Sequence, residues 1–98
     1  MYVYKGGNVM RIKEGFVLRE VAGQYVVIAT GEASKTFHGM IKLNLTGKEI
    51  WQGLQEGLDK AAIAQRLQDK FQVSLEEVVA DVDEFLKQMQ EKGFLIHE

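Results

Sequence analysis

The apolar positions of this chain change period near residue 44. Before that point apolar and polar residues alternate in short runs rich in β-formers, and beyond it they recur every three or four residues. Phe16 to Val21 alternates in part and predicts a strand, Ala22-Gly23-Gln24 a turn, and Tyr25 to Ala29 the returning strand. The run Val26-Val27-Ile28 predicts that both faces of this strand are at least partly covered. Thr30 to Lys35 is small and polar and reads as a loop. Thr36 to Leu43 resumes strand character, with Phe37, Ile41 and Leu43 on one face and His38, Met40 and Lys42 on the other. Gly39 inside it predicts a bulge or a close backbone approach. The expected first layer is a three-stranded antiparallel meander.

Three helices follow. Thr46 and Glu49 have the spacing of a capping box, and Leu45 and Ile50 that of its hydrophobic staple. They predict a helix from Gly47 to Glu56 with Ile50, Trp51 and Leu54 buried and Gly57 as the stop. Asp59 caps a second helix whose stripe is Ile63, Leu67 and Phe71. Ser74 and Glu77 form another box, with Val73 and Val78 as its staple. The third helix is the longest, with Leu75, Val78, Val79, Val82, Phe85, Leu86 and Met89 predicted to face inward and Lys92-Gly93 to end it. Phe94 to Ile96 reads as a short terminal strand. The fold class is α+β, a three-stranded antiparallel sheet packed with a winged-helix-like trio of helices. Residues 1–9 read as a flexible N-terminal extension or an extra edge strand, and 10–98 as one domain.

Composition narrows the chemistry. The 98 residues contain no cysteine, so no disulfide, thiolate nucleophile or cysteine metal site is available. No apolar run approaches the roughly 20 residues of a membrane span, and Met1 to Asn8 lacks the apolar core of a signal peptide, so a cytoplasmic location is expected. His38 and His97 have no carboxylates at ligand spacing and read as ordinary surface histidines. Lys5-Gly6-Gly7-Asn8 lacks the context of a phosphate loop, and Ser34-Lys35 lacks that of a nucleophile with its base. No catalytic constellation, metal site or cofactor site is expected, so function is sought in a surface.

The charge is divided. Residues 1–43 carry six Lys/Arg and three Asp/Glu, net +3, whereas residues 44–98 carry six and eleven, net −5. The third helix of a winged-helix fold enters DNA in many proteins. Here it bears Glu76, Glu77, Asp81, Asp83, Glu84 and Glu91 against Lys87 and Lys92, and phosphates would repel it. A winged-helix DNA-binding regulator is thus a weak alternative. The open edge of the meander offers unpaired backbone groups to an extended peptide, to the 1–9 segment or to a second copy of the chain. The residues alone leave a peptide-receiving edge and a self-associating, homodimeric module about equally placed.

Leu43-Asn44-Leu45-Thr46-Gly47-Lys48-Glu49-Ile50-Trp51, preceded by Gly15-Phe16-Val17-Leu18-Arg19 and followed by Asp81-Val82-Asp83-Glu84-Phe85-Leu86, resembles the coenzyme PQQ synthesis protein D (PqqD) family over about residues 10–97. Its members are small peptide chaperones, also called RiPP recognition elements. The resemblance implies a protein without catalysis that binds the leader of a ribosomally made precursor peptide. It would present that peptide to a modifying enzyme, often of the radical S-adenosylmethionine type. It also implies that the leader adds as a strand beside the third strand and rests on the third helix. Carried over, the peptide-binding surface would comprise Phe37, His38, Met40, Ile41, Lys42 and Leu43 with Val78, Asp81, Val82 and Phe85. Members dedicated to PQQ carry a proline–glutamate pair before the third strand and an alanine and a leucine where this chain has Gly47 and Trp51. This chain has no proline, which points to a different modified peptide.

Overall fold

Two residues in the left-handed region close the first hairpin: Ala22 (φ 52°) and Gly23 (φ 78°). A two-residue loop of that hand matches the twist of its strands and sets Val21 opposite Gln24. The computed structural model describes residues 10–37 and 39–97. Within them β2 (Phe16–Val21) and β3 (Gln24–Ala29) form this hairpin, and β4 (Met40–Leu43) pairs antiparallel on the far side of β3, giving the order β2-β3-β4. The predicted meander is present. Its inner face, with Phe16, Leu18, Val27, Ile41 and Leu43, packs on the helices. Val26 lies on the other face yet is buried, between the cross-strand neighbours Arg19 and Lys42.

The third strand is shorter than predicted. Gly31–Lys35 coils into a 3-10 turn instead of a loop, and the Ala33 carbonyl accepts from the Thr36 and Phe37 amides at 3.3 and 3.0 Å. Those bonds hold Thr36 and Phe37 out of the ladder. Gly39 precedes the strand and has open space where a Cβ would stand, so it is neither a bulge nor a close approach. His38 and the 1–9 extension lie outside the described residues. A second, two-stranded sheet joins β1 (Met10–Ile12) to β5 (Leu95–His97), in register from Met10 opposite His97 to Ile12 opposite Leu95. β5 starts one residue later than predicted. Phe94 is taken up by the C-terminal motif of the last helix, where Gly93 (φ 85°) donates to Gln90 and Phe94 to Met89.

The helices are α1 (Leu45–Gln55), α2 (Lys60–Phe71) and α3 (Leu75–Glu91). Asp59 and Ser74 cap α2 and α3 as predicted, accepting from Ala62 and Glu77 at 2.8 and 3.2 Å. The start of α1 differs. Asn44 is the cap, its Oδ1 accepting from the Gly47 amide at 2.7 Å, and Thr46 is already helical. Leu45 is therefore a solvent-exposed first-turn residue and staples nothing. On α3, Leu75 and Val79 are exposed, contrary to the predicted stripe, while Val78, Val82, Leu86 and Met89 are buried. Seven apolar positions exceed what one helix face can bury against neighbours that are mainly α2, β5 and α1. Among the described residues no helix is long and apolar enough to cross a membrane.

Glu49, freed from the cap, turns into the interior as the one buried charged residue among those described. Its Oε2 accepts from Lys48 at 2.9 Å and from Lys70 of α2 at 3.1 Å. Burial pushes this carboxyl up, but the bonds from the two lysines outweigh it and hold it below the ordinary 4.5. The bond to Glu49 likewise raises Lys48, against desolvation. A carboxyl lowered by folding adds stability at pH above its unfolded value, and that contribution is lost as pH falls through the folded value. The raised Lys48 contributes below 10.5 and is lost only as pH rises through its folded value. Glu49→Gln is expected to cost about 2 kcal/mol at pH 7 and less at pH 3, read from urea midpoints. An equal deficit at both pH values would remove the ion cluster as its cause.

Candidate functional site

Hydrogen bonding alternates along an antiparallel pair, so the hairpin fixes which way each amide of the sheet points. A two-residue loop closes on a hydrogen-bonded pair, here Val21 and Gln24; Val26 and Ile28 follow in turning to β2, and Tyr25 and Val27 turn to β4. Their partners Leu43 and Ile41 are thereby consumed in the sheet. Met40 and Lys42 direct their N–H and C=O groups away from β3, along an edge that no described strand covers.

The chain turns from this edge into α1, and α3 approaches at the turn. A Cβ built on Gly47 would lie 3.1 Å from the Phe85 ring, 3.3 Å from the Asn44 Oδ1 and 3.5 Å from the Leu43 Cβ. Glycine is therefore what lets the end of β4, the start of α1 and the ring of Phe85 meet. Beside this junction lies a cleft of about 180 Å³ lined by Asn44, Thr46, Gly47, Ile50, Asp81, Glu84 and Phe85. Its lining sets the apolar Ile50 and Phe85 beside the acidic Asp81 and Glu84 of α3. The Glu84 carboxylate accepts from Gln88 at 2.9 Å, and Asp81 has no ion pair among the described residues.

The predicted site residues divide by burial. Met40 (59 % exposed) and Lys42 stand on the outer face of the edge, and Ile41 and Leu43 are half-buried against the core. Asp81 and Phe85 face the cleft. Val78 (2 %) and Val82 (1 %) are buried in the core, so an incoming peptide reaches them only by displacing their neighbours. Phe37 is half-buried in an aromatic cluster, its ring edge-on to Phe16 and Phe94 at 5.8 and 5.0 Å. His38 is outside the described residues. Gly47 and Glu84 are cleft residues that the sequence reading passed over. Glu84 was legible, one residue before Phe85 on the same helix; Gly47 was not, because its role is the absence of a side chain.

Two solved structures share this architecture. One is described as TbiB1 in complex with the TbiA(beta) leader peptide, with a TM-score of 0.71 and 21 % identity over 87 % of this chain and 93 % of that one. The other is described as lasso peptide synthetase B1 complexed with the leader peptide, with a TM-score of 0.73 and 20 % identity over 89 % and 96 % of the two chains. No match is found among curated proteins. The family model for coenzyme PQQ synthesis protein D matches residues 16–95. That span runs from the first residue of β2 to the first of β5 and takes in both the bare strand edge and the cleft beside it, and the chain belongs to the PqqD family.

Proposed function

We propose that this protein is a peptide-binding chaperone without catalysis of its own, which captures the leader of a ribosomally made precursor as an added strand on β4 and presents it to a modifying enzyme. The observation that carries the reading is the outward-facing backbone of Met40 and Lys42 beside a cleft lined in part by Phe85. Backbone pairing supplies affinity independent of sequence, and the cleft selects a side chain. The two structural neighbours, each described with a leader peptide, support the choice of occupant. Tethering the leader holds the rest of the precursor near the enzyme at an effective concentration in the millimolar range for a short linker. The enzyme partner expected from the family is a radical S-adenosylmethionine type, and the working compartment the cytoplasm.

The test is an NMR titration of the labelled protein with leader segments of the short peptides encoded beside its gene. Amide shifts confined to 36–43 and to the Asp81–Phe85 face of α3 are the expected result. The same bare edge also favours a second reading, pairing with another copy of the chain. Silence from every segment, together with a dimer by light scattering, would establish that reading instead.

A further inference from the structure

The two sides of the edge carry opposite charge. On the outer face Lys42 has no ion pair among the described residues. On the helix side the cleft places Asp81 and Glu84 around Phe85, with no cation in its lining. In an antiparallel addition, residues opposite one another point to the same face, and successive residues alternate. A side chain opposite Lys42 therefore lies beside that lysine on the outer face. Its neighbour in sequence, opposite Leu43, turns to the helix side, where both Leu43 and the Phe85 ring lie close to the Gly47 backbone.

Resting on the leader reading above, we propose that the captured strand carries an acidic residue opposite Lys42 and, adjacent to it in sequence, an arginine or lysine opposite Leu43. The long basic side chain fits the cleft in two parts. Its methylene stem lies over the Phe85 ring, and its charged head reaches Asp81 and Glu84 at the rim. A purely apolar side chain there would gain nothing from the two carboxylates. A basic residue opposite Lys42 would set like charges together across the strand pair, which is destabilising. Reading a pair of opposite charges that face opposite sides, this protein would discriminate among leaders that all satisfy the backbone edge equally.

The experiment uses an array of overlapping twelve-residue segments from the short peptides encoded beside the gene, each acidic and basic position also reversed in sign, probed with the full chain. Captured segments are expected to contain an adjacent acid–base pair, and reversing either member should weaken capture by up to about fivefold. Lys42→Glu should restore capture of the segment with its acid reversed, and Asp81→Lys with Glu84→Lys that of the segment with its base reversed. These three positions are exposed, and circular dichroism confirms that the variants fold. Captured segments without such a pair, or reversals that neither weaken capture nor respond to the variants, would overturn the charge assignment and leave the leader reading standing. If no segment is captured at all, both fall.

Discussion

Lys42→Pro is expected to abolish capture of a leader segment while leaving the three helices intact. Lys42 directs its amide away from β3, so proline there removes a donor to the incoming strand and none to the existing sheet. The ring also projects along the edge, where the partner backbone must lie. Proline is tolerated on edge strands, and the extended conformation it imposes on the preceding Ile41 is the one that residue already has. The expected loss is roughly two orders of magnitude in affinity, measured by fluorescence anisotropy with the segment that shifts β4 in the titration. Lys42→Ala separates backbone from side chain, since it keeps the amide and should cost no more than about fivefold. Retention of full affinity by the proline variant, with an unchanged far-ultraviolet spectrum, would remove strand addition at β4 as the mode of binding.

Phe94→Ala should be the most damaging single change to stability. Phe94 is fully buried, its ring 4.5 Å from Phe16 of β2, 5.0 Å from Phe37 and 6.3 Å from Trp51 of α1. It thus joins the meander, the turn before β4 and the helices at one point, and neighbours drawn from three elements cannot easily close the void. Truncating such a ring costs about 3–5 kcal/mol, out of the 5–15 kcal/mol that holds a typical domain together. For a chain of 98 residues that corresponds to a fall in Tm of about 15 °C or more. Leu75→Ala, on the exposed flank of α3, should change stability by no more than about 0.5 kcal/mol. A Phe94 variant that melts with the Leu75 variant would show that the aromatic cluster is not the centre of the core.

What the sequence disclosed follows from the range of the interactions involved. Caps at Asp59 and Ser74 and stops at Gly57 and Gly93 are made within one helical turn, and local spacing found them. The hairpin over Ala22-Gly23 is equally local. Asn44 competed for the same helix start with Thr46, and spacing alone favoured Thr46. Asn44 takes the cap, and Glu49 pairs instead with Lys48 beside it and with Lys70, 21 positions along the chain, a partner that local spacing does not show. The exposure of Leu75 and Val79 was hidden for a related reason: periodicity shows an apolar face but not how much of it a neighbour covers. The site was half legible. The alternation through Met40 to Leu43 marked the edge, and the register then showed which amides are unclaimed. The cleft depends on Phe85 approaching the backbone of Gly47, 38 positions away in the chain, a juxtaposition that no pattern announces.

The pairing of Met10 with His97 makes the described fold almost a closed circle. Residues opposite one another in such a ladder stand about 5 Å apart, a gap that a few residues bridge. A domain whose ends meet is easily transplanted. It can be inserted into a surface loop of a larger enzyme, or have its own order of segments cut and rejoined elsewhere, with little distortion of either partner. Under the proposed role of holding cargo near an enzyme, that geometry makes fusion to the enzyme a short evolutionary step.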